Sequence, residues 1–560
     1  MTVDQRTAPL RLEEPGREGL VRLTATLAAH NLRAFVRNPF AAFFTLAFPL
    51  TIFVLVGAVV GDETDAAGVA ITQYLVAPFG AFGVAYAAFA VLSSDTALLR
   101  ESGVLKRWRG TPLPPPIVVA GRIASAVVIS LFAVVILTAV GVAAYGVEMQ
   151  WDKLPAMLVT LLAGIACFAA LGLALAAALP TATATQAASN GIIIMLAFIS
   201  DIFLFGVGLP VWLERLADVL PLKHFVVALR GTFEPAAAGT GFAADHLAVL
   251  AAWTVAGAVI AWRMLGSEPR GRSPRRNAET EPEAEAETVS ALPARTRTTL
   301  VAETVGRPST WALLRGQLWF ALTSLRRDAM AVFFAAIFPV LLLLLLPNVY
   351  GVDDQVRGLP LSQALLPAMI AWAMAVSGYA NLPEMLAQSA ERGVHKRLRG
   401  SPLPWRWYLT GQIAAATLIS AAATVLLFAV GLTVVDAEVD AARAPAIIVT
   451  FVLGAACMAA LGIAVFTLVP SFRTISAVTI GTLLPLTFVS DVFMLGAEEL
   501  PRVLTVIGDV FPLKHLVNAM LTATRPDQAG AGFAWDHLAV VAAWTVAGLA
   551  VALTVRTRRS

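Results

Sequence analysis

The sequence of residues 101–114, ESGVLKRWRGTPLP, recurs at residues 391–404 as ERGVHKRLRGSPLP, 290 positions further along the chain. The same offset relates Ile199–Phe203 to Val489–Phe493. A period of this length is far longer than the unit of a solenoid repeat. The chain is therefore one unit written twice, and we expect its site on the axis that relates the two copies.

The composition indicates a membrane protein. Hydrophobic residues make up 58% of the sequence and charged residues only 14%, against about 25% charged in a soluble domain. Uncharged runs such as 40–60 and 71–92 match the ~20 residues that a helix needs to cross a bilayer. Because these runs are continuous rather than alternating, they predict an all-α polytopic membrane protein. The net charge of +3 gives no reason to expect a nucleic-acid partner.

The apolar runs predict twelve transmembrane helices, six in each copy. They lie near 40–60, 70–92, 117–145, 155–179, 187–207 and 245–264, and near 330–347, 361–383, 408–435, 445–469, 476–496 and 536–555. Residues 1–266 and 309–560 are thus predicted to be two six-span domains. The arginines, glutamates and prolines of 267–308 predict a disordered charged linker. An amphipathic helix on the membrane surface is predicted at 17–37.

The distribution of basic residues predicts the orientation. The loops after the second and eighth spans are rich in Lys and Arg, whereas loops 61–69 and 348–360 are mainly acidic. Basic loops remain in the cytoplasm. Both termini and the linker are therefore expected to be cytoplasmic, in a multi-pass protein of the cell membrane. An even number of spans per copy makes the two repeats parallel rather than inverted.

The duplicated basic loop is the strongest candidate for a functional segment. Residues 99–109 are expected to form a short helix, which Pro112 and Pro114 end. Acidic, glycine and basic positions recur together, which favours docking of another protein over a simple anchor to lipid headgroups. The candidate residues are Glu101, Gly103, Lys106, Arg107 and Arg109, with Glu391, Gly393, Lys396, Arg397 and Arg399 in the second copy.

This loop resembles the cytosolic loop between the second and third spans of ABC-2-type permeases. In that family an acidic residue and a glycine precede a basic helix and a T-P-L-type turn. The resemblance covers both copies, including the prolines of their first spans, Pro49 and Pro339, and the P-x-x-H segments at Pro221 and Pro512. The fused arrangement is similar to actinobacterial two-domain permeases of tetronasin and multidrug exporters. It implies an ABC-2 (type V exporter-like) fold in which the duplicated loops are coupling helices.

The resemblance also implies partners. Two copies of a separate nucleotide-binding ATPase subunit would bind the coupling loops, with ATP and magnesium held on those subunits. The sequence contains no G-x-x-x-x-G-K-[ST] phosphate loop. We therefore expect a transport subunit without a cofactor of its own rather than an enzyme. The expected cargo is a hydrophobic or amphipathic small molecule, a drug or polyketide antibiotic, with a lipid as the open alternative.

Two aspartates late in the fifth spans, Asp201 and Asp491, form the second signal. An ionised carboxylate at the bilayer centre costs roughly 2.5–3.5 kcal/mol, so each is expected to face protein or water. An outer gate is predicted from Asp201, Lys223 and His224 with Asp491, Lys514 and His515; the lysines are candidate ion-pair partners. The alternative is a structural pair that holds a re-entrant segment. Asp245-His246 and Asp536-His537 predict no metal, because an acid is already favoured in a first helical turn.

Aromatic and methionine side chains in the second and fifth spans predict a substrate path, although packing roles are an alternative for each. The candidates are Phe79, Phe82, Tyr86, Phe198, Trp372, Met374, Tyr379 and Phe488. Two other functions stay open. One is a proton-coupled secondary transporter that uses Asp201 and Asp491, although the basic loop fits its usual D-R-x-G-R-R pattern poorly. The other is a non-transporting membrane scaffold for a cytosolic ATPase.

Overall fold

A computed structural model describes residues 17–61, 63–65, 68–108, 115–203, 210–235, 239–266, 309–326, 329–350, 355–356, 358–400, 403–469, 471–493, 501–525 and 530–559. The predicted linker, 267–308, lies outside the described residues, and so does Arg109.

The helices of the two halves correspond one to one. The first half contains α1 (Arg17–Val36), α2 (Pro39–Val60), α3 (Ile71–Glu101), α4 (Val104–Trp108), α5 (Pro115–Tyr145), α6 (Leu154–Ala178), α7 (Ala182–Ile199), α8 (Val211–Ala217), α9 (Pro221–Phe233) and α10 (Ala244–Gly266). The second contains α11 (Thr310–Arg326), α12 (Ala329–Tyr350), α13 (Leu361–Glu391), α14 (Val394–Arg399), α15 (Trp405–Thr433), α16 (Ala444–Leu468), α17 (Phe472–Val489), α18 (Arg502–Val510), α19 (Pro512–Thr524) and α20 (Trp535–Arg559). A two-stranded hairpin, β1 (Gln355–Val356) and β2 (Leu359–Pro360), precedes α13.

The predicted fold class, an all-α polytopic membrane protein made of two repeats, is confirmed. Among the described residues, ten helices are long and apolar enough to cross a membrane. The apolar parts Phe333–Pro347 of α12 and Thr474–Val489 of α17 are shorter. They occupy the positions of the predicted spans 330–347 and 476–496. A further pair, α18 and α19, is bent by 81° at its break and forms a broken or re-entrant segment.

Two predicted helix boundaries are wrong for a backbone reason. The fifth spans end at Ile199 and Val489 rather than near 207 and 496, because Asp201 (φ 56°) and Asp491 (φ 58°) adopt left-handed conformations that stop a helix. The predicted short helix at 99–109 is also divided. Helix α3 continues to Glu101, and Gly103 (φ 73°) breaks the chain before α4 begins.

Each half is stabilised by close packing of its last helix against its fourth span. Helix α10 packs along α6, and α20 packs along α16 in the same way. Glycine permits the approach: a Cβ atom at Gly257 would lie 2.9 Å from the carbonyl carbon of Ala170. At Gly548 it would lie 3.0 Å from that of Ala460. These helix pairs form the outer flanks and leave the other spans to meet the second half.

The halves meet through their first and fifth spans. Helix α7 contacts α12, and α17 contacts α2. The rings of Phe198 and Phe338 lie 5.7 Å apart between centroids across this boundary. Ile480 and Leu484 of the second half also pack against the core of the first. The reciprocal contacts place the pseudo-twofold axis between α7 and α17.

Candidate functional site

A cavity of about 1270 Å³ lies between the two halves. Helices α2, α3 and α7 line it from the first half, and α12, α13 and α17 line it from the second. We call it the central cavity. The end of the molecule that carries α4 and α14 is the basic-loop side, and the end that carries α9 and α19 is the far side. The central cavity is thus on the predicted shared axis.

The lining of the central cavity changes from one side to the other. Its far end is apolar: Val56, Val59, Val60, Ile71, Leu75, Leu342, Leu346, Leu361 and Leu365. Its middle is aromatic: Phe44, Phe48, Phe198, Phe203, Phe334, Phe338, Trp372, Phe488 and Phe493. Its basic-loop end is polar: His30, Asn31, Asn38, Ser94, Asp95, Arg122, Gln186, Asn381, Glu384, Gln388 and Glu391. A molecule with an apolar body and a polar end matches this gradient.

Four π-helical turns shape the walls of the central cavity. They occur at Phe43–Ala47 and Tyr86–Val91 and at the equivalent segments Phe333–Ile337 and Val376–Asn381. A π turn inserts one residue and turns the side chains that follow, and such turns are frequent at functional sites. Here they direct Phe44, Tyr86 and Phe334 toward the central cavity. Sequence periodicity carried no signal for them.

The eight predicted path residues divide into two groups. Tyr86, Phe198, Trp372 and Phe488 line the central cavity. Phe79, Phe82 and Met374 are buried in the helix packing of their own halves, at most 2% exposed. Tyr379 donates to or accepts from the hydroxyl of Thr482 at 2.7 Å and is also placed away from the cavity lining. The structure therefore brings together half of the predicted set.

Four phenylalanines of the central cavity recur on both walls, but the polar side chains do not. Phe44, Phe48, Phe198 and Phe203 have counterparts at Phe334, Phe338, Phe488 and Phe493. On the first-half wall, Tyr86 Oη donates a hydrogen bond of 2.9 Å to Asn190 Oδ1. The equivalent positions on the second-half wall are Val376 and Ile480.

The first basic loop is connected to the cavity-lining helix α7. Glu101 Oε2 accepts a hydrogen bond of 2.7 Å from the backbone N–H of Ala182, in the first turn of α7. Arg100 donates to the carbonyls of Ala176 and Leu179 at the end of α6. In the second copy alanine, Ala390, occupies the position of Arg100. These hydrogen bonds join the first loop to the end of α6 and to the start of α7.

The other predicted coupling residues lie on the surface. Lys106, Arg107, Lys396 and Arg397 are exposed, while Gly103 and Gly393 share the same left-handed φ of 73°. The side chain of Arg399 lies outside the described residues, as Arg109 does. Glu391 is exposed and lines the basic-loop end of the central cavity. The two loops thus present equivalent cationic surfaces on one side of the molecule.

The predicted gate residues lie on the far side, but with different partners from those expected. Lys223 Nζ lies 2.7 Å from Asp218 Oδ1, and Lys514 Nζ lies 2.7 Å from Asp509 Oδ1. The positive groups that interact with the Asp201 carboxylate are Arg230 of α9 and, more weakly, Lys223. Asp491 is buried, with 4% exposed. Both aspartates lie just after the fifth span of their half, ahead of α8–α9 in the first half and of the bent α18–α19 pair in the second.

A pair of histidines, His224 with His246, joins α9 to α10, the last helix of the first half. Their Nδ1 atoms lie 2.7 Å apart, and Nε2 of His224 donates to the carbonyl of Asp218 at 2.8 Å. His515 and His537 repeat the arrangement with Nδ1 atoms 2.8 Å apart. One ring must donate and the other must accept. Sequence reasoning placed His224 and His515 in the outer gate and considered a metal at His246 and His537, although their duplication 22 residues apart in both copies is a signal for pairing.

Metal chemistry finds no support in the side-chain geometry. In the described part of the chain, no group of three or more His, Cys, Asp or Glu residues is placed to hold a metal ion. Within each histidine pair, the short Nδ1–Nδ1 contact uses the lone pair of the accepting ring, His224 or His515, because Nε2 of that ring donates to a backbone carbonyl. Asp245 and Asp536 stand near the second ring of each pair, with carboxylate oxygens 3.6 and 3.8 Å from Nε2.

A comparison with known protein families finds one family whose model matches both halves of the chain. The model of the ABC-2 type transporter family matches residues 22–233 and 309–524. The two matches cover both copies and end at the last residues of α9 and α19. No individual curated protein matches the chain at a significant level.

Proposed function

The chain belongs to the ABC-2 type transporter family, and we propose that it is the permease subunit of an ATP-driven exporter of hydrophobic or amphipathic compounds. The observation that carries the proposal is the central cavity, which both copies line on their shared axis. Its volume, about 1270 Å³, is above the ~300–1,000 Å³ of ordinary small-molecule pockets. A drug or polyketide of substantial size fits such a space.

The lining of the central cavity supports an amphipathic cargo. The aromatic middle supplies large apolar contact surfaces, and the polar end supplies groups that solvate a hydrophilic portion. The polar end of the central cavity faces the basic-loop side. Cargo would therefore enter from the cytoplasm with its apolar body first and its polar end last. The far end consists of valine, leucine and isoleucine side chains, which close the path to the outside until the halves move.

The basic loops are the proposed ATPase contacts. Their cationic residues are exposed on one side of the molecule, and the first loop is hydrogen-bonded to α7 through Glu101. Two separate ATPase subunits, one for each loop, would carry the ATP and magnesium. Their closure would displace α3 and α7, and so would change the distance between the cavity walls. This chain itself carries out no chemical step.

The far-side aspartates and histidine pairs are the proposed outer gate. The aspartates would tie the fifth spans, and the histidines the last helices, to α8–α9 and α18–α19. These helices would then move with the cavity walls. The gate opens when α7 and α17 separate at their far ends. Lipid would surround the outer flanks formed by α6 with α10 and by α16 with α20.

The experiment that tests the proposal is transport in inverted vesicles that contain this chain and a co-expressed phosphate-loop ATPase. Accumulation of a lipophilic dye should require ATP and should persist in the presence of an uncoupler. Uptake that stops with the uncoupler while ATP is plentiful would favour the secondary transporter. ATPase recruitment without any ATP-dependent uptake would favour the scaffold.

A further inference from the structure

The first-half wall of the central cavity contains one buried hydrogen-bonded pair, Tyr86 and Asn190. Their side chains are 2% and 3% exposed. Tyr86 Oη donates to Asn190 Oδ1 at 2.9 Å, and both residues line the central cavity. The pair lies between the aromatic middle and the polar end, at the π turn that begins with Tyr86. It is therefore in reach of the body of a bound compound.

The amide nitrogen of Asn190 still has hydrogen-bonding capacity. An asparagine amide has two N–H donors, and within the described residues Nδ2 makes no hydrogen bond to protein. Because Asn190 lines the central cavity, an acceptor inside the cavity can approach this donor. Along α7, the cavity-lining neighbours of Asn190 are Gln186 and Ala187 on one side and Ile194 and Phe198 on the other, so its amide lies where the polar lining gives way to the apolar lining. An acceptor atom on the cargo would satisfy it.

The opposite wall has no such donor at the equivalent depth. Val376 and Ile480 take the places of Tyr86 and Asn190 and also line the central cavity. Four phenylalanines recur on both walls, whereas Tyr86 lines only the first wall and Trp372 only the second. A cargo with an acceptor oxygen would be oriented by the first-half wall, because the amide donor at this depth belongs to that wall.

We propose that Asn190 determines specificity by donating a hydrogen bond from Nδ2 to an uncharged acceptor oxygen, a carbonyl, ether or hydroxyl, in the body of a lipophilic cargo. Tyr86 is a positioning residue, because its hydroxyl holds the amide oxygen and so directs Nδ2 into the central cavity. The inference rests on the proposed function, in that the central cavity is taken as the cargo site. It selects oxygenated lipophiles over hydrocarbons of the same size.

The test compares two probes bound to the purified full-length chain in lipid nanodiscs, with empty nanodiscs as the blank. Nile red carries a carbonyl acceptor and emits further to the blue when hydrogen bonding to it is lost. Diphenylhexatriene is a hydrocarbon without an acceptor. Asn190→Ile copies the residue of the second wall. It should weaken Nile red binding about 3- to 10-fold, the value of one neutral hydrogen bond, shift the bound emission to the blue, and leave diphenylhexatriene binding unchanged.

Two further variants distinguish the loss of the hydrogen bond from a general loss of folding. Tyr86→Phe retains the ring and the amide, and should weaken Nile red binding by a smaller factor without affecting diphenylhexatriene. Ile480→Val, at the equivalent depth on the other wall, should not discriminate between the probes. Equal losses for both probes in Asn190→Ile, an unchanged Nile red affinity, or failure of Nile red to bind the wild-type chain would each overturn the inference. ATP-driven transport is measured separately, so its absence alongside Asn190-dependent binding would contradict only the export proposal.

Discussion

The two halves of the molecule share a frame but differ in the polar groups attached to it. Helix boundaries, π turns and the cavity phenylalanines recur from one half to the other. By contrast, Asn190 is matched by Ile480, Arg122 by Gln412, and Arg100 by Ala390. Packing geometry was preserved because each half must close against the other. The polar differences show that the cavity walls and the two loop attachments are not equivalent.

The difference extends to the far side. Asp201 interacts with Arg230 of α9, and leucine, Leu521, holds the place of Arg230 in the second half. The histidine pairs, in contrast, are the same in both halves. The far side therefore combines histidine pairs that both halves share with an arginine, Arg230, that leucine replaces in the second half.

The largest expected effect is at the basic loops. Glu101→Ala combined with Glu391→Ala should abolish ATP-dependent uptake in inverted vesicles while the amount of inserted protein is unchanged. Of the single variants, Glu101→Ala should be the more damaging, because it removes the hydrogen bond to Ala182 at the start of α7. Asp152→Ala, an exposed acid on the far side, is the control and should transport normally. A fully active double variant would contradict the coupling assignment.

A second comparison concerns the left-handed aspartates. Asp201→Asn should lower the free energy of unfolding by about 1–2 kcal/mol, since the buried guanidinium of Arg230 loses a negative charge that compensates it. Asparagine tolerates the left-handed conformation, so backbone strain does not contribute. Asp436→Asn, at an exposed position with φ 50°, is the matched control and should be neutral. Thermal unfolding in detergent measures all three proteins; equal effects of Asp201→Asn and Asp436→Asn would remove the role given to Arg230.

The histidine pairs predict a pH dependence that both halves share. Each pair can hold one proton between its Nδ1 atoms, whereas two protonated rings would direct N–H groups at each other beside Lys223 or Lys514. The nearby acids, Asp218 and Asp245 with Asp509 and Asp536, compensate only part of this charge. Unfolded histidines bind protons near pH 6.5, whereas a further proton on an intact pair would break its Nδ1–Nδ1 hydrogen bond. Stability should therefore be highest above pH 6.5 and should fall toward pH 5.

The corresponding measurement is the unfolding midpoint between pH 7.5 and pH 5. His246→Phe with His537→Phe removes one ring from each pair and should flatten this dependence, at a cost of about 1 kcal/mol per lost hydrogen bond at pH 7.5. Single variants in the two halves should behave alike because the pairs are equivalent. A double variant with the pH profile of the wild type would show that other groups control the acid sensitivity.

The smallest expected effect concerns the end of α6. Arg100→Ala makes the first half like the second at this position, and should lower the free energy of unfolding by about 0.3–1 kcal/mol, the usual value of a cation at a helix C-terminus. Ala390→Arg, the reciprocal change, should be neutral or slightly stabilising. Transport by Arg100→Ala should be reduced but not lost, which separates it from the glutamate variants. A loss as complete as theirs would mean that Arg100, rather than Glu101, carries the connection.

The amino-acid sequence by itself determined the architecture. The long uncharged runs predicted membrane helices, because a helix satisfies its own backbone hydrogen bonds in lipid. The 290-residue offset predicted two equivalent halves with a site between them. The aromatic residues of the second and fifth spans included Tyr86, Phe198, Trp372 and Phe488, which line the central cavity. These features depend on local composition and spacing, both of which can be read along the chain.

Only the tertiary structure decided which polar groups meet. The hydrogen bonds from Tyr86 to Asn190 and from Ala182 to Glu101 join residues 104 and 81 positions apart, so local sequence carries no information about them. The π turns depend on the packing of neighbouring helices, and the helix ends at Asp201 and Asp491 depend on single backbone dihedral angles. Whether Phe82 lines a cavity or fills a core follows from the direction in which its helix faces the other half, which is a property of the packed structure alone.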